Sequence, residues 1–343
     1  MRNITLMAIL VTAVIISGIY ISGCGKKPQP ETKAEPAEKS IILEGKKIFY
    51  IDSYHESYEP GMAQRAAFSR GLNGKGAETK YFFMDTKNHP ASAEMAEAGK
   101  KCMKEIKQYA PHLIIAADDP ACKEVIAPYF AGGKIPVIFI GVNWSAKACS
   151  YPAPNVTGQI EVEFVSEMLA EIKKYAKGGR ISLITADTLT DRKSVDHYIK
   201  VMGMKFTETV FVKDFQAWIK AYKKSQKTSD ALFFRNSTGI EGWEDSRAIE
   251  LIIKETKVPS GTVSAHMPRF VLIGMTKDNS EFGEYAAETA LKILNDNISP
   301  DSLPVTANAR VGMKLNMNLA KKLGIVFKDE LIEKASFVEE DIK

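Results

Sequence analysis

Along the amino-terminal half of the chain, short apolar runs rich in β-branched and aromatic residues break off abruptly into polar clusters. Positions 47–51 run into Asp52-Ser53-Tyr54-His55, and 81–84 into Asp85-Thr86-Lys87-Asn88-His89-Pro90. Positions 113–116 run into Ala117-Asp118-Asp119-Pro120, and 137–140 into Gly141-Val142-Asn143-Trp144. Helical patterns at 62–72, 91–109 and 121–130 separate these runs, and another follows at 161–175. Strands alternating with helices predict a parallel α/β sheet. In such sheets ligands sit beyond the carboxyl ends of the strands, where the polar clusters fall.

The cadence restarts near position 178. Strands at 180–185, 205–212 and 231–234 end in Ala186-Asp187-Thr188, Lys213-Asp214 and Arg235-Asn236-Ser237-Thr238-Gly239, and a weaker one near Val258 reaches Gly261-Thr262. Helices at 191–202, 215–227 and 243–256 fill the gaps. A strand at 269–275, a helix at 281–294, a turn-rich stretch at 295–304 and an extended segment at 305–316 follow, then short helices at 318–323 and 329–335. The fold class expected is α/β: two Rossmann-like lobes with parallel sheets, joined by three crossings near 156–160, 264–270 and 303–309. That assigns 46–157 plus 269–302 to lobe 1, and 158–268 plus 303–343 to lobe 2.

A length of 343 residues suits about two domains. The formal charge of +4 is too small and too evenly spread to indicate nucleic acid. Arg2 followed by an apolar stretch at 4–20 reads as a leader; a plain membrane span is the alternative. Small residues directly before a cysteine, Ile21-Ser22-Gly23-Cys24, favour cleavage after 1–23. This run resembles the bacterial lipobox, which implies that Cys24 carries lipid. The Pro-, Lys- and Glu-rich remainder of 24–45 has little to bury and reads as a disordered tether.

Cys102, Cys122 and Cys149 match no zinc spacing. Cys122 and Cys149 both follow strands at one sheet edge and are the better-placed pair, while three buried or free thiols is the reading favoured. The five histidines lack metal-ligand spacing, and no Gly-x-Ser-x-Gly, Gly-rich phosphate loop or His-Glu-x-x-His occurs. No catalytic residue, metal or cofactor is expected.

Several motifs in order carry a family resemblance: Ser53-Tyr54-His55, Asp85 to Pro90, Ala116-Ala117-Asp118-Asp119, Ile135 to Asn143, Asn155-Val156-Thr157-Gly158, Gly239 to Trp243 and Asn316 to Ile325. From Lys46 onward the chain resembles the ABC-transporter substrate-binding family with the type I periplasmic-binding-protein fold. The resemblance implies an exported, non-enzymatic, monomeric protein. It would be anchored to the membrane by lipid on Cys24 and would face the periplasm or cell exterior. Its role would be to capture a small molecule between two lobes and deliver it to an ABC permease; amino acids, aromatic ones among them, are associated with parts of the family. The same module also serves as a ligand sensor that signals to a membrane receptor. Relatives often carry Trp at the place of Pro60 and Arg at that of Asn88.

The strand-end positions supply the candidate ligand-binding residues. Ser53 could hold an anionic group at a helix start or simply cap that helix. Tyr54, His55 and Tyr58 could stack on a ligand or on each other. Asp118 is assigned an ammonium group, with Asp119 capping the helix begun at Pro120. Asp85 and Lys87 could contact ligand or bridge the lobes. Asn143 offers hydrogen bonds and Trp144 a wall. Lobe 2 contributes Asp187, Thr188, Asn236, Ser237 and Thr262, while Trp243 lines the cleft or anchors its helix. Hinge packing is expected of His266, Met267 and Arg269.

Overall fold

The computed structural model describes residues 42–338. The leader, Cys24 and most of the tether lie outside them. Two sheets organise the described chain. Strands β1 (Lys47–Asp52), β2 (Glu78–Phe83), β3 (Leu113–Ala117), β4 (Val137–Asn143) and β5 (Val156–Glu161) build the first. Strands β6 (Ile181–Ala186), β7 (Glu208–Val212), β8 (Ala231–Phe234), β9 (Ser260–Thr262) and β10 (Ile273–Lys277) build the second. Then β11 (Thr306–Ala307) joins the first, and β12 (Val311–Leu315) and β13 (Ala335–Phe337) join the second.

The first sheet runs in the order β11-β5-β4-β3-β1-β2, with every pairing parallel. Parallel sheets are covered on both faces, so their strands read as unbroken apolar runs. Accordingly β3 is buried throughout, and β4 is buried up to its last residue. One core lies on each face: Phe49, Ile51 and Phe139 belong to one, Ile48, Tyr50 and Phe68 to the other. The second sheet, β13-β12-β10-β9-β8-β6-β7, is parallel except where β12 runs against β10. A single large core around Leu183, Trp218, Phe233 and Ile273 supports it.

Both sheets reverse their strand order after the first strand. The reversal falls between β1 and β3 in one, and between β6 and β8 in the other. Those switch points are where open α/β sheets leave a crevice.

The crossings differ from expectation. The segment at 269–275 was expected to return to lobe 1, yet β10 pairs in parallel with β9 and stays in the second sheet. The return comes one step later, through the helix Ser280–Leu294, which packs against the helix Glu59–Leu72 of the first layer. The approach is close: a Cβ on Gly283 would stand 2.0 Å from the Gln64 carbonyl oxygen. Likewise β5 belongs wholly to the first sheet, and β11 pairs with β5 before the chain reaches β12. The chain therefore passes between sheets after Glu161, after Lys277 and after Ala307.

Side chains stitch these passages together. Asn308 Oδ1 accepts from the Val162 N–H at 2.7 Å, and its amide donates to the Val162 carbonyl at 3.3 Å. Glu281 accepts from the Ala309 and Arg310 N–H groups at 2.8 and 2.7 Å. Cys122 and Cys149 form a disulfide and Cys102 is a buried free thiol, so the three-thiol reading is corrected. The pair joins the helical turn after β3 to the turn after β4.

Candidate functional site

The carboxyl ends of β2, β3 and β4 share an unusual backbone. Asp85, Asp118 and Trp144 each follow or end one of these strands in the left-handed region, with φ of 55°, 68° and 56°. For residues with a Cβ this conformation costs about 1–3 kcal/mol, and such positions gather at ligand clamps. Here it turns each side chain out of the sheet at its rim.

Asp118 is the centre of the first rim. It follows β3 at the switch point and is only 8% exposed. Its carboxylate has no hydrogen-bond or ion-pair partner among the described residues. Burial raises its carboxyl well above the ordinary range, nearby Glu161 adds to this, and Lys277 opposes it. The site is shaped for that carboxylate. Gly141, at φ 69° in the bulge of β4, would bring a Cβ within 3.0 Å of Asp118 Oδ1 if it carried one.

Tyr54 and Tyr58 stand beside it, edge to face at 4.8 Å between ring centroids. Burial and the Asp118 charge push both phenols up from their ordinary value. The Lys87 ammonium lies over both rings, 4.7 Å from the Tyr54 centroid and 3.8 Å from that of Tyr58. His55 makes an edge contact with Tyr58 at 5.9 Å and pairs with Ser57 Oγ at 3.1 Å. Asp85 is tied into its own turn by Asn88, which donates to it at 2.7 Å.

One assignment on this rim changes, and Ser53 proves to have a structural role. Ser53 is fully buried; its hydroxyl donates to the Ala117 carbonyl at 2.6 Å and accepts from the Ala121 N–H at 2.8 Å. It therefore locks the end of β1 to the start of the next helix. Asp119 does not cap that helix: it accepts from the Asn143 backbone and side-chain N–H groups at 3.2 and 2.6 Å. Asn143 is thus held by a carboxylate, and Trp144 reaches across to the other lobe.

The second rim is organised around a buried guanidinium that was not among the expected ligand-binding residues. Arg235, at the end of β8, pairs with Asp191 and Glu163 and donates to Tyr198 Oη at 2.9 Å and Ser194 Oγ at 2.8 Å. Burial alone would lower its value; Glu163, Tyr198 and Asp191 more than offset this and hold it charged. Thr188 caps the helix Leu189–Lys200 by accepting from the Asp191 N–H at 3.1 Å. Asp187 pairs with Arg192 at 2.5 Å, a contact that holds its carboxyl below the usual range. Asn236 bridges Asp191 and His266, at 3.1 and 3.0 Å.

Thr262 is buried against the Arg235 carbonyl, and Ser237 against the Met267 sulfur. Thr188, Ser237 and Thr262 thus help to hold the rim. Trp243 packs among Phe215, Trp218, Phe234 and Phe270, and so anchors its helix. His266 and Met267 lie within the second body, not at a crossing.

Between the rims, Glu161 at the end of β5 forms an ion pair with Lys277 at the end of β10. Burial works to lower the Lys277 ammonium, and Glu161, with Asp118 and Glu163, more than offsets this and raises it. Neither residue was expected, because their meeting depends on two strands of different sheets. Among the described residues no group of three or more His, Cys, Asp or Glu could hold a metal ion. The arrangement can bind and orient a small cation.

No curated protein matches the sequence. The chain resembles the ligand-free, open structure of a substrate-binding protein with adhesive properties from Clostridium difficile, at 17% identity and a TM-score of 0.66. That match covers 86% of this chain and 99% of the other. A conserved domain protein from Vibrio cholerae aligns with a TM-score of 0.57 at 16% identity, covering 86% of this chain and 99% of its own. An ABC domain from Streptococcus pneumoniae in complex with L-Trp aligns at 0.55 and 14%, with the same coverage. At such identities these likenesses establish the type I periplasmic-binding fold. A family model adds the lineage: residues 58–339 match that of the ABC transporter substrate binding protein, and the chain belongs to this family.

Proposed function

We propose that this chain is the extracytoplasmic, lipid-anchored binding component of an ABC importer, and that it closes two lobes on a small molecule bearing an ammonium group. One observation carries the reading: Asp118, a buried carboxylate at the switch point of the first sheet, has no partner among the described residues. A buried charge without a partner is costly, and a ligand ammonium would supply the missing one. Tyr54 and Tyr58 beside it suit an apolar or aromatic body. An amino acid or a related metabolite combines both features, and the streptococcal neighbour holds L-Trp. The passages after Glu161, Lys277 and Ala307 serve as the hinge, and the closed form is what the permease reads. A ligand favours that form by the difference between its affinities for the two states.

Native mass spectrometry of the soluble body, followed by thermal-shift screening with amino acids and their amines, tests this. A true ligand at about 100 times its Kd adds roughly 2.7 kcal/mol of stability. Screening that yields only compounds without an ammonium group would overturn the ligand class. Loss of fatty-acid labelling in Cys24→Ala tests the anchor.

A further inference from the structure

We propose that Tyr54 and Tyr58 form the cation subsite of the cleft and that Lys87 is its built-in, displaceable occupant, which a ligand ammonium must evict in order to pair with Asp118. The inference rests on the ammonium reading above and adds to it a competitor supplied by the protein itself.

Lys87 lies in the turn after β2, and its residue is exposed to solvent. Among the described residues its ammonium meets no carboxylate at ion-pair distance; its partners are the two rings. An ammonium over the faces of two tyrosines is held by their ring quadrupoles. Meanwhile Asp118, whose charge acts on both rings and on Lys87, stays unpaired. The lysine thus occupies the aromatic half of a cation site but does not neutralise its carboxylate half. A free ligand ammonium can satisfy both halves at once.

Eviction is also easy mechanically. The turn that carries Lys87 is fixed independently: the Asn88 and His89 N–H groups donate to the Asp85 carbonyl at 3.2 and 3.1 Å, and Asn88 clasps the Asp85 carboxylate. The backbone can therefore stay in place while the four-carbon stem swings outward and its ammonium rehydrates. A cation–π contact of this kind corresponds to about three- to tenfold in a binding constant, which sets the size of the competition. A lysine that instead held a ligand carboxylate would act in the opposite direction, so the sign of the effect decides.

The soluble body carrying 13C-dimethylated lysines gives one resonance per lysine, and Lys87→Gln identifies that of Lys87. The resonance is expected upfield, shifted by the two rings, and near its solvent position in Tyr58→Leu. An amino acid or amine that stabilises the protein is expected to return it to the solvent position. Lys87→Gln is expected to bind that same compound about three- to tenfold more tightly. An unshifted resonance in the unaltered protein would overturn the proposal. So would weaker binding by Lys87→Gln, or a bound ammonium compound that leaves the resonance upfield; in both cases the ammonium reading survives. If neither protein binds any ammonium compound, both ideas fall together.

Discussion

Trp144 and His197 stack face to face, 4.3 Å between ring centroids and 10° from parallel. Trp144 follows β4 of the first sheet, while His197 lies on the helix Leu189–Lys200, which covers the second. The contact joins the two bodies at the mouth of the cleft, and it exists only where they approach each other. If the lobes close on a ligand as proposed, this contact would act as a latch whose strength biases closure.

Truncating either ring should loosen that latch. Aromatic pairs are worth roughly 0.5–1.5 kcal/mol beyond area burial, or about two- to twelvefold in affinity if closure is coupled to binding. Trp144→Ala and His197→Ala are each expected to weaken ligand binding by this amount and to raise the radius of gyration in solution scattering. The double variant should lose no more than the larger single loss, since both remove the same contact. A much larger loss in Trp144→Ala alone would mean that the indole also touches the ligand.

Asp118 predicts a trade between stability and binding. Its carboxyl sits well above the ordinary range, through burial first and Glu161 second. The folded protein therefore holds this proton more tightly than the unfolded chain, where Asp titrates near about 3.9. The linked stability is present in full below that pH and is lost as pH rises through the folded value. Asp118→Asn escapes the loss. It should melt above the parent at pH 7, by about 2 °C for each kcal/mol recovered, and the two melting curves should converge near about pH 4. Its affinity for an ammonium ligand should fall roughly tenfold or more, as a charge-assisted bond is lost. Parallel melting curves across the pH series would refute the assignment.

The second rim should behave differently because its charges are matched. Arg235 is buried with Asp191 and Glu163 around it. Removing one partner of a buried network leaves uncompensated charge and costs about 3–5 kcal/mol. Arg235→Ala is expected to lower the unfolding free energy by that amount and the urea midpoint with it, while Arg192→Ala, whose pair with Asp187 is exposed on the arginine side, should move the midpoint far less. Urea titrations of the two variants side by side measure the contrast.

Much of this architecture is legible in the sequence because its signals are local. The runs at β3 and β4 are apolar from end to end, and only a sheet covered on both faces demands that. Asp118 stands out for the same reason, as an acid placed where such a run stops. What stays hidden depends on partners far apart in sequence. The ion pair of Glu161 with Lys277 and the cluster of Arg235 with Asp191 and Glu163 each join residues from separate elements. Sheet membership of β10 is hidden too, because a strand–helix pair after the second unit finds an edge on either sheet. The left-handed turns at Asp85, Asp118 and Trp144 carry no glycine to announce them. Ser53 and Thr262 show the converse: a polar residue at a strand end also serves to hold that end in place.

The disulfide gives a last prediction that joins stability to the site. Cys122 and Cys149 are 27 positions apart, and their bridge ties the turn carrying Asp118 and Asp119 to the one that follows Asn143 and Trp144. By the loop-entropy relation a closure of this length contributes about 3–4 kcal/mol against the unfolded chain. Asn143 already clasps Asp119 across the same gap, so reduction should leave the fold intact but let the two turns move apart. Reductant, or the paired change of Cys122 and Cys149 to Ala, is expected to lower the melting temperature clearly. Ligand binding should weaken only modestly, through poorer placement of Asp118 and Trp144. Differential scanning fluorimetry with and without reductant, together with calorimetric titration of the ligand, separates the two effects. An unchanged melting temperature would show that the bridge does not form in the native protein, whereas complete loss of binding would show that it, rather than Asn143 and Asp119, holds the first rim.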